Sequence, residues 1–138
     1  MALRINNGKA INGNAMKPVR GFTFVELMVV MAIVAMLISI ALPRYFEGLQ
    51  RAREAVLMED LNVMRKAIDH YHADKNAYPA NLQALVSERY LKFIPEDPIT
   101  NSNETWQIVL PPDNANQVYD IHSGSSETAS NGTLYNAW

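Results

Sequence analysis

Two groups of side chains carry residue types that could do chemistry. Asp120, His122 and Ser123 supply the three residue types of a hydrolytic triad, but neighbours along one strand cannot converge in the relay that a triad requires. His70 and His72 suggest a metal site, but side chains two positions apart on a helix point about 200° away from each other and cannot share one ion. We therefore predict no catalytic residue, no metal ligand and no enzyme activity.

A third candidate is the carboxylate of Glu26. It is the one charge in an apolar run of 21 residues, 22–42. At about 1.5 Å per residue, a helix of this length is roughly 31 Å long, enough to cross the hydrocarbon core of a bilayer. A carboxylate inside such a helix costs about 2.5–3.5 kcal/mol on insertion scales, so it normally has a partner or a task. The run contains no Lys, Arg or His that could pair with it.

A cationic partner for Glu26 would arise if the chain were cut between Gly21 and Phe22. The new α-amine of Phe22 would lie four residues back on the same helix, and it would also be available to a neighbouring copy. A pair between two copies would lower the cost of the charge only in an assembly. The alternative is a tolerated glutamate near the membrane interface, where its carboxylate reaches water.

The residues around this junction resemble a known processing signal. The stretch 20–27, Arg-Gly-Phe-Thr-Phe-Val-Glu-Leu, resembles the class III prepilin leader of the type IV pilin and pseudopilin superfamily. In that family a dedicated peptidase cuts after the glycine and usually methylates the new terminal residue, and the glutamate directs assembly. The resemblance implies cleavage after Gly21, N-methylation of Phe22 and an assembly role for Glu26. A secretory signal cleaved after the Ser-Ile-Ala of 39–41 is the competing interpretation, disfavoured by the early glutamate and the long apolar run.

Residues 1–21 form the predicted leader. They carry four basic residues and no acid, so their removal changes the formal net charge from −2 to −6. A basic segment of this kind is retained in the cytoplasm by the positive-inside rule. Met16 opens a complete short leader by itself, so Met1 and Met16 are both candidate start sites. After Lys92 the chain has acidic residues and no basic ones, which argues against nucleic-acid binding.

One long helix is predicted over 22–74. Its first part, 22–42, is apolar all round, and Pro43 predicts a kink or a local melt because proline removes a backbone donor. Beyond it an apolar row recurs at spacings of three and four. The row consists of Leu57, Leu61, Met64, Ile68 and Tyr71, widened by Leu49, Ala52, Val56, Val63 and Ala67. Charged residues are expected on the remaining faces: Glu47, Arg51, Arg53, Glu54, Arg65 and Asp69.

A small domain must cover this apolar row. Asn81 can cap a short helix that ends near Tyr90. The alternating stretches 105–110 and 117–122 predict two strands, and the turn residues of 111–116 join them in a hairpin. The dipeptide 96–97, Glu-Asp, is expected to be solvated, and the C-terminal aromatic residues are expected to tuck back onto the domain.

The predicted fold class is therefore α+β and pilin-like. A long N-terminal helix packs on a small domain that contains a short helix and an antiparallel hairpin. The predicted domains are a cleaved leader at 1–21, a membrane or filament-core helix at 22–42, and a soluble domain at 43–138 that includes the second part of the long helix.

The resemblance extends into the small domain. Tyr78-Pro79, Ile94-Pro95, Asp97-Pro98 and the Tyr-Asp-Ile of 119–121 are similar to motifs of the major pseudopilin of type II secretion systems. That family usually has an aromatic–glycine pair after the Asp-Pro, where this chain has Ile-Thr-Asn-Ser at 99–102. The chain has no cysteine, whereas many type IV pilins close a C-terminal loop with a disulfide, and this difference favours a pseudopilin.

The same family has an Asp-rich C-terminal loop that holds calcium. Calcium takes six to eight oxygen ligands, several of them carboxylates, but the last sixteen residues of this chain contain one acid, Glu127. We therefore assign no metal and no cofactor, and we keep calcium in this loop as the alternative.

These features predict a structural subunit. The expected function is processing by prepilin peptidase and polymerisation into a pseudopilus that drives protein secretion by a type II secretion system. The resemblance implies as partners further copies of the chain, the peptidase, minor pseudopilins, and an inner-membrane assembly platform with its ATPase. The expected location is the bacterial inner membrane, crossed once, with the soluble domain in the periplasm. The alternatives are a major or minor type IV pilin of a surface fibre, serving adhesion, motility or DNA uptake, and a single-span anchor that is not cleaved after Gly21.

Overall fold

The computed structural model describes residues 2–3, 8, 20–113 and 116–138. Most of the predicted leader and residues 114–115 of the predicted turn lie outside the described residues. Within the described residues, two helices, two strands and a 3-10 turn follow one another: α1 (Phe24–Lys75), α2 (Leu82–Ser87), β1 (Gln107–Val109), β2 (Asp120–His122) and Tyr135–Ala137. The chain divides into two compact units, Met1–Ser39 and Ile40–Trp138. This arrangement confirms the predicted α+β, pilin-like fold class.

Helix α1 begins and ends at recognisable capping residues. The backbone N–H of Glu26 donates to Thr23 Oγ1 at 3.2 Å, so Thr23 and Glu26 have the spacing of a capping box. At the other end Asn76 has a φ of 51°, the left-handed conformation that commonly terminates helices. The helix bounds agree with the predicted 22–74 to within two residues, and the helix continues through Pro43.

The core of the Ile40–Trp138 unit lies along one side of α1. The predicted apolar row is buried there, and Tyr71 packs against its edge. The row contacts buried residues of the small domain: Leu82, Leu85, Leu91, Trp106, Val118, Ile121, Ala129 and Tyr135. The short helix is capped as predicted, because Asn81 Oδ1 accepts a hydrogen bond from the Ala84 N–H at 2.8 Å.

The predicted width of the apolar row was wrong. Ala67 is buried as expected, but Leu49, Val56 and Val63 are 39%, 50% and 42% exposed, and Ala52 is exposed as well. The small domain covers a narrow sector of the helix, so these side chains lie beyond its edge. A broad stripe of apolar residues on α1 therefore faces solvent in the isolated chain.

The two strands form the predicted antiparallel hairpin. The paired residues are Gln107 with His122, Ile108 with Ile121, and Val109 with Asp120. Each strand has three residues rather than the predicted six. Both strands begin later than predicted. Strand β1 also ends before Pro111, which has no backbone N–H to donate to a neighbouring strand. The predicted return of the C-terminal aromatic residues is confirmed. Tyr135 is 2% exposed and makes an edge-to-face contact with Trp138 at a ring-centroid distance of 5.4 Å.

Candidate processing and assembly site

The residues predicted to be processed lie together at the start of α1. Arg20, Gly21, Phe22 and Glu26 line one open pocket of about 410 Å³. Gly21 and Phe22 are exposed and precede the helix, so the peptide bond between them is accessible. The carboxylate of Glu26 lies on the first turn of α1, where the partial positive charge of a helix N-terminus favours an acid.

The role of Thr23 as the N-cap of α1, through the backbone N–H of Glu26, was missed by the sequence reasoning, which treated Glu26 only as an isolated charge. The signal was present, since Thr-Phe-Val-Glu at 23–26 is a capping-box pattern. The cap fixes the position at which regular helix begins, one residue after Thr23. Cleavage between Gly21 and Phe22 would leave the new amine two residues before the first helical residue.

The three side chains of the candidate hydrolytic triad do not converge. Arg65 Nε donates to Asp120 Oδ1 at 2.7 Å and forms an ion pair with it. His122 contacts the main-chain oxygen of Trp138, and Ser123 Oγ donates to Asp97 Oδ2 at 2.5 Å. Each of the three side chains thus has a different partner, and no nucleophile–base pair is formed.

The two helical histidines are also separate. His72 stacks on Tyr78 with ring centroids 4.1 Å apart, whereas His70 is exposed. Within the described part of the chain, no group of three or more His, Cys, Asp or Glu side chains has a geometry that could hold a metal ion.

Glu54 is a buried carboxylate that the sequence reasoning wrongly placed on the exposed charged face. It is 7% exposed, and its two oxygens accept hydrogen bonds from the Ser130 N–H at 2.7 Å, Ser130 Oγ at 2.5 Å and Tyr135 Oη at 2.9 Å. Gln50 Nε2 adds a fourth at 3.3 Å. Burial raises the pKa of Glu54, but the hydrogen bonds from Ser130, Tyr135 and Gln50 together outweigh it and lower the pKa below its ordinary value.

Asp97 was predicted to be solvated, and that prediction was wrong. Its side chain is fully buried. Oδ1 accepts from the backbone N–H groups of Ile99 at 2.8 Å and Thr100 at 3.4 Å. Oδ2 accepts from Ser123 Oγ and, at 3.2 Å, from the Gly124 N–H. The carboxylate is therefore held by four donors, and it joins the loop after Ile94-Pro95 to the segment that follows β2.

The oxygen atoms that the C-terminal loop could offer as ligands do not fit a calcium ion. The oxygens of Ser123 and Ser130 are engaged by Asp97 and Glu54, and Asp120 is paired with Arg65. Glu127, the remaining acid of this region, is exposed. Calcium requires several converging carboxylates, whereas here each carboxylate organises a different contact.

Helix α1 is long and apolar enough to cross a membrane, and its apolar segment is not covered by other parts of the described chain. The sequence also matches the prokaryotic N-terminal methylation motif over residues 16–42. An apolar helix that follows such a motif defines a class of protein, the membrane-anchored subunits of the pilin type.

Comparison with known proteins gives the family. The chain is 33% identical over 111 residues to the type IV wide pilus major component PilA4 of Thermus thermophilus, an alignment that covers 80% of this chain and 79% of that protein. It is 31% identical over 98 residues to the type II secretion system core protein G of Escherichia coli, covering 59% of this chain and 68% of that protein. The corresponding core protein G of Pseudomonas aeruginosa is 32% identical over 97 residues, with coverage of 59% and 68%. No solved structure matches the chain. The chain belongs to the type IV pilin and pseudopilin superfamily.

Proposed function

We propose that the chain is cleaved after Gly21, methylated on Phe22, and polymerised into the pseudopilus of a type II secretion system. The observation that carries this proposal is the position of Glu26. Its carboxylate lies in an otherwise apolar helix and in one pocket with the two residues of the cleavage junction. In the assembly, Glu26 of one copy pairs with the Phe22 amine of a neighbour, so that the charge is compensated only when copies associate.

Burial of the 22–42 helices against one another supplies packing energy in the filament. The gain relative to lipid is small, because lipid tails are as apolar as the side chains that leave them. Extraction from the membrane therefore needs external work. An assembly ATPase acting through an inner-membrane platform supplies it, and minor pseudopilins are further partners. Before assembly the chain crosses the inner membrane once, with residues 43–138 in the periplasm.

A type IV pilin of a surface fibre is the second candidate. The observation that favours it is coverage, since the alignment with the wide pilus component extends over 80% of this chain and those with the secretion proteins over 59%. The absence of cysteine from the chain and the Asp97-Pro98 and Tyr78-Pro79 motifs favour the secretion protein.

Two measurements test the proposal. N-terminal mass spectrometry of the protein from its own host should find N-methylated Phe22 as the first residue; a retained leader in a working assembly would overturn processing. Shearing the cells then separates the two candidates. A pseudopilin stays with the envelope and its deletion stops protein secretion, whereas a pilin appears in the sheared extracellular fibres and its deletion leaves secretion intact.

A further inference from the structure

A second pocket lies within the Ile40–Trp138 unit, where α1 meets the small domain. Its volume is about 370 Å³, within the range of about 300–1,000 Å³ that small-molecule sites have. We call it the Arg53 pocket. Helix α1 and the small domain each supply three of the side chains that matter for a ligand: Phe46, Leu49 and Arg53 from the helix, and Ile99, Glu127 and Tyr135 from the domain.

The two walls of the Arg53 pocket are held together by hydrogen bonds. Tyr135 is 2% exposed. Its hydroxyl donates to Glu54 Oε1 at 2.9 Å and accepts from Gln50 Nε2 at 3.4 Å. These bonds tie the small domain to α1 over one helical turn, 50–54. The pocket is therefore already formed in the free chain, which lowers the cost of ordering it around a ligand.

Two opposite charges line the pocket without pairing with each other. Arg53 and Glu127 are both exposed. Neither charged group forms a hydrogen bond or an ion pair with another residue that the structure describes. A ligand that carries an anion and a cation on one small group would satisfy both charges at once.

The pocket begins close to the end of the predicted membrane span. Phe46 follows Leu42 by about 6 Å along the helix axis, and Arg53 follows it by about 16.5 Å. The headgroup layer on each side of a bilayer is roughly 5–8 Å thick. Helical side chains lean toward the N-terminus of their helix, so the guanidinium of Arg53 leans back toward the span. Its long stem lets the charge reach the headgroups.

The apolar lining of the pocket is left uncovered by the chain itself. Phe46 and Leu49 are 59% and 39% exposed, and Ile99 is half-buried. In a phospholipid, the glycerol and the first methylenes of the acyl chains lie next to the phosphate. A lipid headgroup between Arg53 and Glu127 would therefore bring apolar atoms to this lining and remove its surface from water.

The arginines that follow the span indicate the anion. Basic residues beside a membrane helix are normally enriched on its cytoplasmic side. Residues 43–138 are assigned to the opposite side, yet positions 44, 51 and 53 are all arginine. Arg51 is paired with Glu47 at 4.0 Å, which leaves Arg53 as the cation of the pocket. The fork of N–H groups on a guanidinium matches the oxygens of a phosphate.

We propose that the Arg53 pocket binds the headgroup of a phosphatidylethanolamine molecule of the periplasmic leaflet, with the phosphate at Arg53 and the ammonium at Glu127. This headgroup carries both charges, and its ammonium has N–H groups that a carboxylate accepts. The bound lipid holds the unassembled subunit at the membrane surface, and extraction of the subunit empties the pocket. The inference rests on the proposed function for the side of the membrane on which residues 43–138 lie.

Native mass spectrometry of the full chain in detergent tests the pocket. Dioleoyl-phosphatidylethanolamine is titrated into the protein, and the fraction of chains that carry one lipid gives the affinity. The unaltered chain should bind this lipid more tightly than dioleoyl-phosphatidylglycerol, which has no ammonium for Glu127. Equal or tighter binding of phosphatidylglycerol would overturn the inference.

Arg53→Gln and Glu127→Gln should change the two affinities differently. Arg53→Gln should weaken the binding of both lipids at least about tenfold, because each loses a hydrogen bond between charged groups. Glu127→Gln should weaken phosphatidylethanolamine by a similar factor. It should leave phosphatidylglycerol unchanged or bound more tightly, since a like charge is removed. Equal losses of both lipids in both variants would contradict the placement of phosphate and ammonium.

Arg51→Gln and Glu104→Gln are the matched controls. Both positions are exposed and lie outside the pocket, so neither variant should change the affinities by more than about twofold. If Arg51→Gln weakened binding as much as Arg53→Gln, a general attraction between arginine and lipid would account for it, and the inference would be wrong.

Leu49→Trp fills the pocket without altering its charges. Because Leu49 lies at the surface, the variant should keep its stability in urea while it loses phosphatidylethanolamine binding at least about tenfold. Val63→Trp is the control, since Val63 is 42% exposed on the same helix and lies outside the pocket. Unchanged lipid binding by Leu49→Trp would refute the pocket. If Leu49→Trp instead separated complexes of copies, the occupant would be a second copy and the inference would be overturned.

Failure of this inference is distinguishable from failure of the proposed function. Lipid binding is measured on the purified chain, whereas processing is measured at the N-terminus of the protein from its host. A methylated Phe22 as the first residue, together with no selective lipid binding, would refute the pocket alone. A retained leader together with selective lipid binding would refute the processing alone.

Discussion

Two buried carboxylates hold the C-terminal part of the chain in place by hydrogen bonds. Glu54 accepts hydrogen bonds from Ser130 and Tyr135, and Asp97 accepts from Ser123 and Gly124. Hydrogen bonds to a charged acceptor are stronger than those between neutral groups. A segment that is short of large apolar residues is thus fixed by directional contacts rather than by burial alone.

Replacing Glu54 by glutamine should destabilise the small domain. The variant loses the charge, and its amide nitrogen cannot accept the bonds that Ser130 and Tyr135 donate, so the free energy of unfolding should fall by about 1–3 kcal/mol. Urea unfolding of the detergent-solubilised chain, followed by tryptophan fluorescence, measures this because both tryptophans lie in the small domain. Glu59→Gln, an exposed position on the same helix, should change the stability by less than about 0.5 kcal/mol.

The contribution of Glu54 should also depend on pH. Its pKa is lower in the folded chain than in the unfolded one, so the folded state binds the proton less readily. Its stabilisation is therefore fully present above the unfolded value of about 4.3 and is lost as the pH falls through the lower, folded pKa. The difference in unfolding free energy between the unaltered chain and Glu54→Gln should shrink on acidification; a difference that grows would contradict the lowered pKa.

Replacing Glu26 by alanine should prevent assembly without preventing cleavage. The variant lacks the carboxylate that the proposed assembly pairs with a neighbouring Phe22 amine, while the junction between Gly21 and Phe22 is unchanged. The yield of filaments should fall at least about tenfold, which corresponds to the loss of one charge pair in a poorly solvated contact. Immunoblotting of fractionated cells measures both yield and processing, with Glu47→Ala as the control. Normal filament yield from the Glu26 variant would refute the assembly role.

At the scale of elements, the hairpin is joined to the preceding loop by a close approach of two backbones. A Cβ atom placed on Gly124 would lie 2.0 Å from the carbonyl oxygen of Thr105. Atoms of that kind cannot overlap, so a side chain here would force the segment after β2 away from the residues that lead into β1. It would also disturb the bond from Gly124 to Asp97.

The Gly124→Ala variant should therefore lose about 1–3 kcal/mol of stability. Gly48→Ala is the matched comparison, because a Cβ there meets nothing within 4 Å and alanine is preferred to glycine inside a helix by up to about 1 kcal/mol. Urea unfolding should rank the three proteins with Gly48→Ala most stable and Gly124→Ala least. Equal stability of the two variants would contradict the close contact.

At the scale of the whole molecule, the small domain should fold without calcium. The carboxylate of Asp97 is held by hydrogen-bond donors and that of Asp120 by Arg65. Among the described residues, the remaining acids form no cluster that could hold a metal ion. The thermal unfolding midpoint of the full chain should be the same in excess calcium and in excess chelator. A rise with calcium that magnesium does not reproduce would show a site and refute the prediction.

The division of charge along the chain is also a property of the whole molecule. Loss of residues 1–21 changes the formal charge from −2 to −6, and like-charged copies repel one another in solution.

Much of the molecule was determined by the sequence itself. The membrane-length apolar run, the bounds of α1, the cap at Asn81 and the antiparallel hairpin all follow from residue type and spacing. These features depend on neighbours within a few positions, through helical period, capping bonds and turn residues. Local chemistry of this kind can be read before the chain is folded.

The tertiary structure alone decided which side of α1 is covered and which carboxylates are buried. Glu54 and Ser130 are 76 residues apart, and Asp97 and Ser123 are 26 apart, so no local pattern connects them. The pattern of apolar residues along α1 likewise did not predict which of them would be covered. Val56 and Val63 are exposed, while Leu57 and Met64 are buried. Burial is set by where distant loops pack, and a small domain has too little apolar surface to cover a whole helix face.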